Sequence, residues 1–139
     1  MQIEIQITPQ RIDARCELPK EFSSNIGALA EFSGIVRAEE NGRDIAALEY
    51  EAYSPMAERV MREIIEDINR RHSCLFVQVT HRVGIIRVGE TAIHIVVTSR
   101  HRAEAFAMLT EFMDRLKQDV PVWKRRALSS DELKALKSP

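Results

Sequence analysis

TAIHIVVTSRHRAEAFAMLTEFMDRLKQDVPVWKRR, residues 91–126, changes its hydrophobic period twice. In TAIHIVVTS (91–99), Ile93, Ile95 and Val97 recur every second residue, the period of a strand with one face buried. From Arg100 the period lengthens. Ala105, Phe106, Leu109, Phe112, Met113 and Leu116 recur at three and four, which predicts an amphipathic helix over 100–119 with those residues as its buried stripe. Pro121 cannot continue a helix, because it lacks an amide hydrogen and its ring clashes with the preceding turn. The helix therefore stops near Lys117–Asp119, and VWKRR (122–126) is read as extended.

The same reading extends in both directions. IEIQI (3–7) alternates, with Ile3, Ile5 and Ile7 on one face of a half-buried strand. Residues 9–27 are polar and broken by Pro9, Pro19 and Gly27, a loop with room for a short helix. Residues 27–53 read as strand, turn, strand around Asn41-Gly42, a dipeptide that tolerates positive φ. In the second of these strands Leu48 and Tyr50 face one way, Glu49 and Glu51 the other. SPMAERVMREIIEDINRRH (54–72) predicts a helix capped by Ser54, with Pro55 at its first position and Met56, Val60, Met61, Ile64, Ile65 and Ile68 on one stripe. LFVQVTHR (75–82) is a further strand and GIIRVGE (84–90) a bend or short strand. ALSSDELKALKSP can hold a short helix with Ser130 as cap and Asp131 in its first turn. The order β, ββ, α, ββ, α, β predicts an α+β fold, with a mostly antiparallel sheet and two main amphipathic helices in a single domain spanning 1–139.

The chain has 139 residues, 45% hydrophobic and 29% charged, with a net charge of −1, which bounds it to one soluble globular domain with no global field toward nucleic acid or anionic membranes. No apolar run approaches the ~20 residues needed to span a bilayer. The N-terminus MQIEIQITPQ lacks an export pattern, so the expected compartment is the cytoplasm. Cys16 and Cys74 are then reduced packing residues, and neither sits in a Cys/His cluster that could hold a metal.

Nucleophile elbows, P-loops, dinucleotide fingerprints and H-E-x-x-H sites are all missing from the sequence. What remains is a set of cations at the ends of regular elements: Arg37 after GIV, His81-Arg82, Arg100-His101-Arg102 before a helix, Lys117 at that helix's end, and Lys124 beyond Pro121. Taken singly, Arg37 and His81-Arg82 read as solvated strand ends, and Lys117 simply complements the helix dipole. Arg100-His101-Arg102 is different, since cations at a helix N-terminus oppose the dipole unless an anion binds there. On an extended 121–126, Val122, Lys124 and Arg126 share one face, Trp123 and Arg125 the other. A buried Trp123 would then anchor the segment and fix the direction of Lys124. A lysine held beside other cations or partly desolvated becomes a usable base or nucleophile.

FSGIVR (32–37), LEYEAYSPMAE (48–58), HRVGIIRVGE (81–90), VVTSRHRAEAF (96–106) and DRLKQDVPVWKRR (114–126), in this order and at this spacing, resemble the large, catalytic subunit of molybdopterin synthase, the MoaE family. The resemblance covers residues 27–126. It implies a hammerhead-like α+β fold and a sulfurtransferase of molybdenum cofactor biosynthesis. The substrate it implies is cyclic pyranopterin monophosphate (precursor Z), which receives two sulfurs as the dithiolene of molybdopterin, with no cofactor or metal. The implied partner is a small ubiquitin-like sulfur-carrier subunit with a C-terminal Gly-Gly thiocarboxylate. The implied assembly is a homodimer within a heterotetramer.

Carried over by position, Lys117 and Lys124 are the implied catalytic lysines. Arg37, flanked by the Ile35 and Val36 backbone, and the pair His101 and Arg102 are implied to hold the substrate's phosphate, with Arg125 and Arg126 bordering the pterin. Two features depart from the family. It reads WKKE or WKRE where this chain has WKRR, so on an extended strand Arg126 sets a like charge on the face of Lys124. The 126–139 tail has also diverged. These departures favour a competing reading, a paralogue that binds a Gly-Gly-ending protein without turnover. A third reading, a nucleic-acid binder using WKRR, is opposed by the net charge and by the lack of interleaved aromatics.

Overall fold

The computed structural model of the chain describes residues 1–13 and 24–137. Cys16 and residues 14–23 of the 9–27 loop fall outside that description, and the described parts of that loop, 9–13 and 24–27, are not helical. Nine strands and three helices follow in order among the described residues: β1 (Gln2–Thr8), β2 (Ala28–Ile35), β3 (Glu39–Glu40), β4 (Arg43–Asp44), β5 (Ala47–Ala52), α1 (Met56–Asn69), β6 (Phe76–Arg82), β7 (Gly84–Arg87), β8 (Thr91–Ser99), α2 (Arg102–Asp119), β9 (Val122–Leu128) and α3 (Ser130–Lys137).

The strands form two main sheets and a hairpin. One sheet has the order β1-β6-β8-β2, antiparallel except for the β1–β6 pair. The other is β7-β5-β9, antiparallel throughout. The hairpin β3–β4 turns at Asn41 (φ 53°) and Gly42 (φ 76°), the two consecutive positive values that a tight two-residue hairpin turn needs.

The alternating residues of the sequence now find their purpose. Ile3, Ile5 and Ile7 of β1, Val77 and Val79 of β6, and Ile93, Ile95 and Val97 of β8 meet α1 and α2 in one core. From α1 come Ala57, Met61, Ile64, Ile65 and Ile68. Each of its buried isoleucines contributes roughly 1.5–3 kcal/mol of burial, an upper bound because unfolded chains are already partly compact. Cys74 packs into the same core, where burial and then Glu104 push its thiol up to about 11, so it stays an unreactive thiol. A smaller second core, Val36, Ile45, Leu48, Ile86 and Ala92, lies under the three-stranded sheet.

Four local expectations need correction, the first being Met56: placed on the α1 stripe by its spacing, it is 39% exposed in the helix's first turn, where Ala57 is buried instead. Ser54 does not cap α1: Pro55 occupies the cap position without a side-chain bond, and Ser54 Oγ donates to the Glu58 carboxylate at 2.6 Å instead. The cap of α3 is Ser129, one residue before the predicted Ser130. Glu132 N donates to Ser129 Oγ (3.2 Å) and Ser129 N to Glu132 Oε1 (3.1 Å), a reciprocal capping box. On α2 the buried stripe is Ala105, Met108, Phe112 and Leu116, while Phe106 is 58% exposed. Phe106 lies about 100° around the helix from Ala105, beyond the edge of the stripe that the sheet covers. Leu109 and Met113 lie on that flank and are half-buried against the core.

Candidate active site

Lys117 and Lys124 reach one cavity from two elements. Lys117 stands in the last turn of α2, where its charge complements the helix dipole. The chain leaves the helix at Val120 (φ −87°, ψ 129°), and the Pro121 carbonyl accepts the Tyr53 amide at 2.9 Å. That bond starts β9 in register with β5: Ala52 opposite Val122, Glu51 opposite Trp123, Tyr50 opposite Lys124.

The register then slips. Glu49 pairs with Arg126, leaving Arg125 as an extra residue in β9. A bulge of this kind resets the alternation of side chains, so Lys124 and Arg126 no longer share a face. Lys124 goes with Tyr50 toward the cavity and pairs with Glu40 at 3.0 Å. Arg126 goes with Glu49, its Nε 2.7 Å from the carboxylate, and Arg125 pairs with Glu51 at 2.9 Å. The expected like charge beside Lys124 is thus absent, and a carboxylate stands there.

The cavity measures about 670 Å³. Its walls come from the end of β2 (Phe32 to Ile35, continuing through Val36 and Arg37), from β5 (Leu48, Tyr50), from β8 (Ala92, Ile93), from the end of α2 (Met113, Leu116, Lys117) and from the start of β9. Glu40 and His81 complete it. Three cations (Arg37, Lys117, Lys124) face one carboxylate (Glu40), so the ionic lining is net positive and suits an anion. Among the described residues neither Arg37 nor Lys117 has an ion-pair partner within the chain.

Ile35, Val36, Arg37, Lys117 and Lys124 are therefore brought together. His101 and Arg102 are not. They mark the opposite end of α2, roughly 22 Å from Lys117 along the helix at 1.5 Å per residue. His101 and Arg100 line a separate cavity of about 540 Å³ with Arg71 and His72. Arg125 and Arg126 flank the site on β9 but are occupied by Glu51 and Glu49. Trp123 is not the buried anchor expected of it: it is 44% exposed and lines the cavity. Lys124 takes its place on the cavity from the β5–β9 register, and its ammonium meets Glu40 there.

His81, Tyr50, Trp123 and Glu40 also line the cavity, and the sequence does not single them out as site residues. His81, a solvated strand end by sequence alone, is only 5% exposed. Its parity with Val77 and Val79 in LFVQVTHR was the available signal. The Arg82 carbonyl can only accept, so the proton of His81 lies on Nδ1, 2.8 Å away. Burial holds the ring's pKa below its ordinary value despite that bond. Tyr50 meets His81 edge-on, ring centroids 5.3 Å apart. Burial raises the Tyr50 phenol against the lowering effect of Lys124, so it remains a donor. Trp123 carried only its rarity as a signal. Glu40 carried none, because nothing local ties it to a lysine 84 residues away.

A family model described as "MoaE protein" matches residues 5–119, from the first strand to the last residue of α2. The chain belongs to the MoaE family. The MoaE relative "Molybdopterin synthase catalytic subunit" of Bacillus subtilis (strain 168) is 35% identical over 127 residues, covering 91% of this chain and 81% of that protein. The crystal structure of molybdopterin synthase from Staphylococcus aureus superposes with a TM-score of 0.77 at 30% identity, covering 90% of each chain. A complex of subunits 1 and 2 of the molybdopterin-converting factor from Helicobacter pylori shares the fold, with a TM-score of 0.67 at 19% identity, over 94% of this chain and 90% of that one. The α+β reading and the family resemblance both stand.

Proposed function

We propose that this MoaE chain, acting as one catalytic unit over 1–139, is the catalytic subunit of a cytoplasmic molybdopterin synthase. It moves sulfur from the thiocarboxylated Gly-Gly terminus of a small ubiquitin-like carrier to cyclic pyranopterin monophosphate. One observation carries the reading: Lys117 and Lys124 converge with Arg37 on a single cation-lined cavity. No helix among the described residues is long and apolar enough to cross a membrane.

In this reading Arg37, with its planar fork of donors, takes the substrate's phosphate. Lys124 activates the pterin side-chain carbon that accepts sulfur and moves the proton. Lys117 positions and polarises the thiocarboxylate and is placed for a transient covalent link to it. Sulfur bonds to the pterin side-chain carbon as a C–O bond there breaks, Lys124 supplying the proton that the departing oxygen takes up. The carrier's C–S bond is then hydrolysed, and water supplies the oxygen of the released carboxylate.

The carrier's tail has a path to this site. A groove of about 510 Å³ lined by Phe32, Phe106, Leu109 and Met113 runs along α2 to Lys117. Phe32, Met113 and Lys117 line groove and cavity alike, so an extended tail entering past Phe106 ends at the lysines. His101 and Arg102, too distant within one chain, would reach the phosphate site only from a second copy, as the homodimer inside a heterotetramer implied by the resemblance would allow.

The non-catalytic alternative rested on Arg126 and the altered tail. Arg126 is turned onto Glu49, which removes its charge from Lys124. Nucleic-acid binding through WKRR loses its basis too, because Lys124, Arg125 and Arg126 each face a carboxylate.

The test is molybdopterin formation by the assembled synthase carrying Lys117→Ala or Lys124→Ala. Each variant is expected to lose on the order of 100-fold or more in rate, as for removal of an acid–base group, with unchanged thermal stability. Near-normal turnover in both variants sinks the assignment.

A further inference from the structure

We propose that Glu40 is a positioning residue: it holds Lys124 in the cavity as an internal counter-ion and releases it to the incoming anion. The inference rests on the reading of the cavity as the synthase site.

The geometry singles out this pair. Of the three cations on the cavity, only Lys124 has a carboxylate partner among the described residues, Glu40 Oε1 at 3.0 Å from Nζ. Lys124 is 46% exposed and carries four rotatable bonds, so β9 alone fixes the root of its side chain and not the ammonium. Glu40, 21% exposed, supplies the missing constraint.

Its own position is well determined. It closes the β3–β4 hairpin opposite Arg43, across the Asn41-Gly42 turn. The hairpin's base is pinned where Ile45 N donates to the Ala38 carbonyl at 2.9 Å and where Val36 and Ile45 enter the second core. Its far strand is tied to α3, because Arg43 pairs with Glu132, the residue that also closes the α3 capping box. The C-terminal helix therefore braces the hairpin that aims Lys124.

The pair is also built to be exchanged. A single carboxylate oxygen on a half-exposed ammonium is a weak, screened contact. A phosphate or thiocarboxylate entering beside Arg37 and Lys117 brings more charge to the same ammonium. Glu40 and the substrate anion thus compete for Lys124. Glu40 raises the concentration at which substrate binds, and in return it delivers the lysine already oriented.

Glu40→Gln keeps the shape and removes the charge, and two readouts follow it in the assembled synthase. The first is acetylation of Lys124 by trace acetic anhydride, scored by peptide mass spectrometry against Lys117 in the same sample. The second is steady-state kinetics with the pterin substrate. In E40Q we expect Lys124 acetylation to rise about threefold with Lys117 unchanged, since the amine loses its shield. KM should fall about threefold as a competitor is removed, and kcat about tenfold as orientation is lost, the split expected when ground-state binding and transition-state alignment are separated. Glu40→Asp, which restores the charge, should return all three values toward those of the parent. An active parent with unchanged Lys124 acetylation in E40Q overturns the proposal, whatever happens to kcat. If the parent makes no molybdopterin yet Lys124 acetylation still rises in E40Q, the counter-ion role stands and the synthase reading fails.

Discussion

Lys124 and Arg126 lie two residues apart on β9 and address opposite faces of the sheet, because the bulge at Arg125 adds one residue between them. Lys124 is opposite Tyr50 and belongs to the cavity. Arg126 is opposite Glu49 and belongs to the outer surface. A position that reads as tuning or disabling Lys124 is instead part of a separate ion-pair ladder.

Restoring an acid at this position should therefore do nothing for catalysis. Arg126→Glu would set a carboxylate against Glu49, now bonded at 2.7 Å by Arg126. We expect a loss of about 1 kcal/mol from like charges facing across the strands, with no gain in turnover. Urea unfolding and the sulfur-transfer assay read the two effects, and a rate increase would place residue 126 in the site after all.

His81 gives the fold a pH dependence. Burial keeps its folded pKa below the ordinary histidine value. As pH falls through ~6.5 the unfolded chain takes up a proton before the folded chain does, so stability present above that pH is lost below it. Glu90, Asp67, Glu111 and Glu132 all have depressed pKa values, so their contribution is lost only at more acidic pH. Between pH 7.5 and 5.5 the melting temperature should drop, and His81→Gln should flatten the drop. Identical slopes in parent and variant would remove His81 as the source.

Gly27 is a packing constraint on the start of α2. A Cβ there would lie 2.0 Å from the Arg100 carbonyl oxygen, while the Gly27 amide bonds Ser99 at 3.0 Å. Gly27→Ala must push apart β2 and the segment that carries His101 and Arg102. We expect roughly 1–3 kcal/mol of destabilisation, the usual cost of overpacking. Unfolding in urea measures it, and a neutral result would mean that the β2–Arg100 contact yields freely.

Phe106 separates docking from folding. At 58% exposure it contributes little to the core, so Phe106→Ser should change stability by less than about 0.5 kcal/mol. If the α2 groove receives the carrier's tail, the same change should weaken carrier binding by roughly tenfold. Calorimetric titration with the carrier subunit decides it, and undiminished affinity would move the tail elsewhere.

Much of this fold was legible because burial imposes a period. Ile3, Ile5 and Ile7, the α1 isoleucines, and Ile93, Ile95 and Val97 all lie where alternation or helical spacing puts them. Pro121 ends α2 for a reason internal to proline, and Asn41-Gly42 turns because both residues accept positive φ. Arg37, Lys117 and Lys124 were legible as cations at element ends, though only the family resemblance implied that they act together. These are local properties, fixed within a few residues of where they are read. The rest depended on distance and register. Phe106 and Met108 exchanged roles because the edge of the sheet, not the helix, decides which flank is covered. His81 turned inward with its strand, and Trp123 stayed out. Glu40 met Lys124 only because a hairpin and a strand far apart in sequence close over one cavity. A single extra residue at Arg125 reversed the parity on which the reading of Arg126 depended. Periodicity is written into the chain, but the count of residues between two paired strands is set only when they pair.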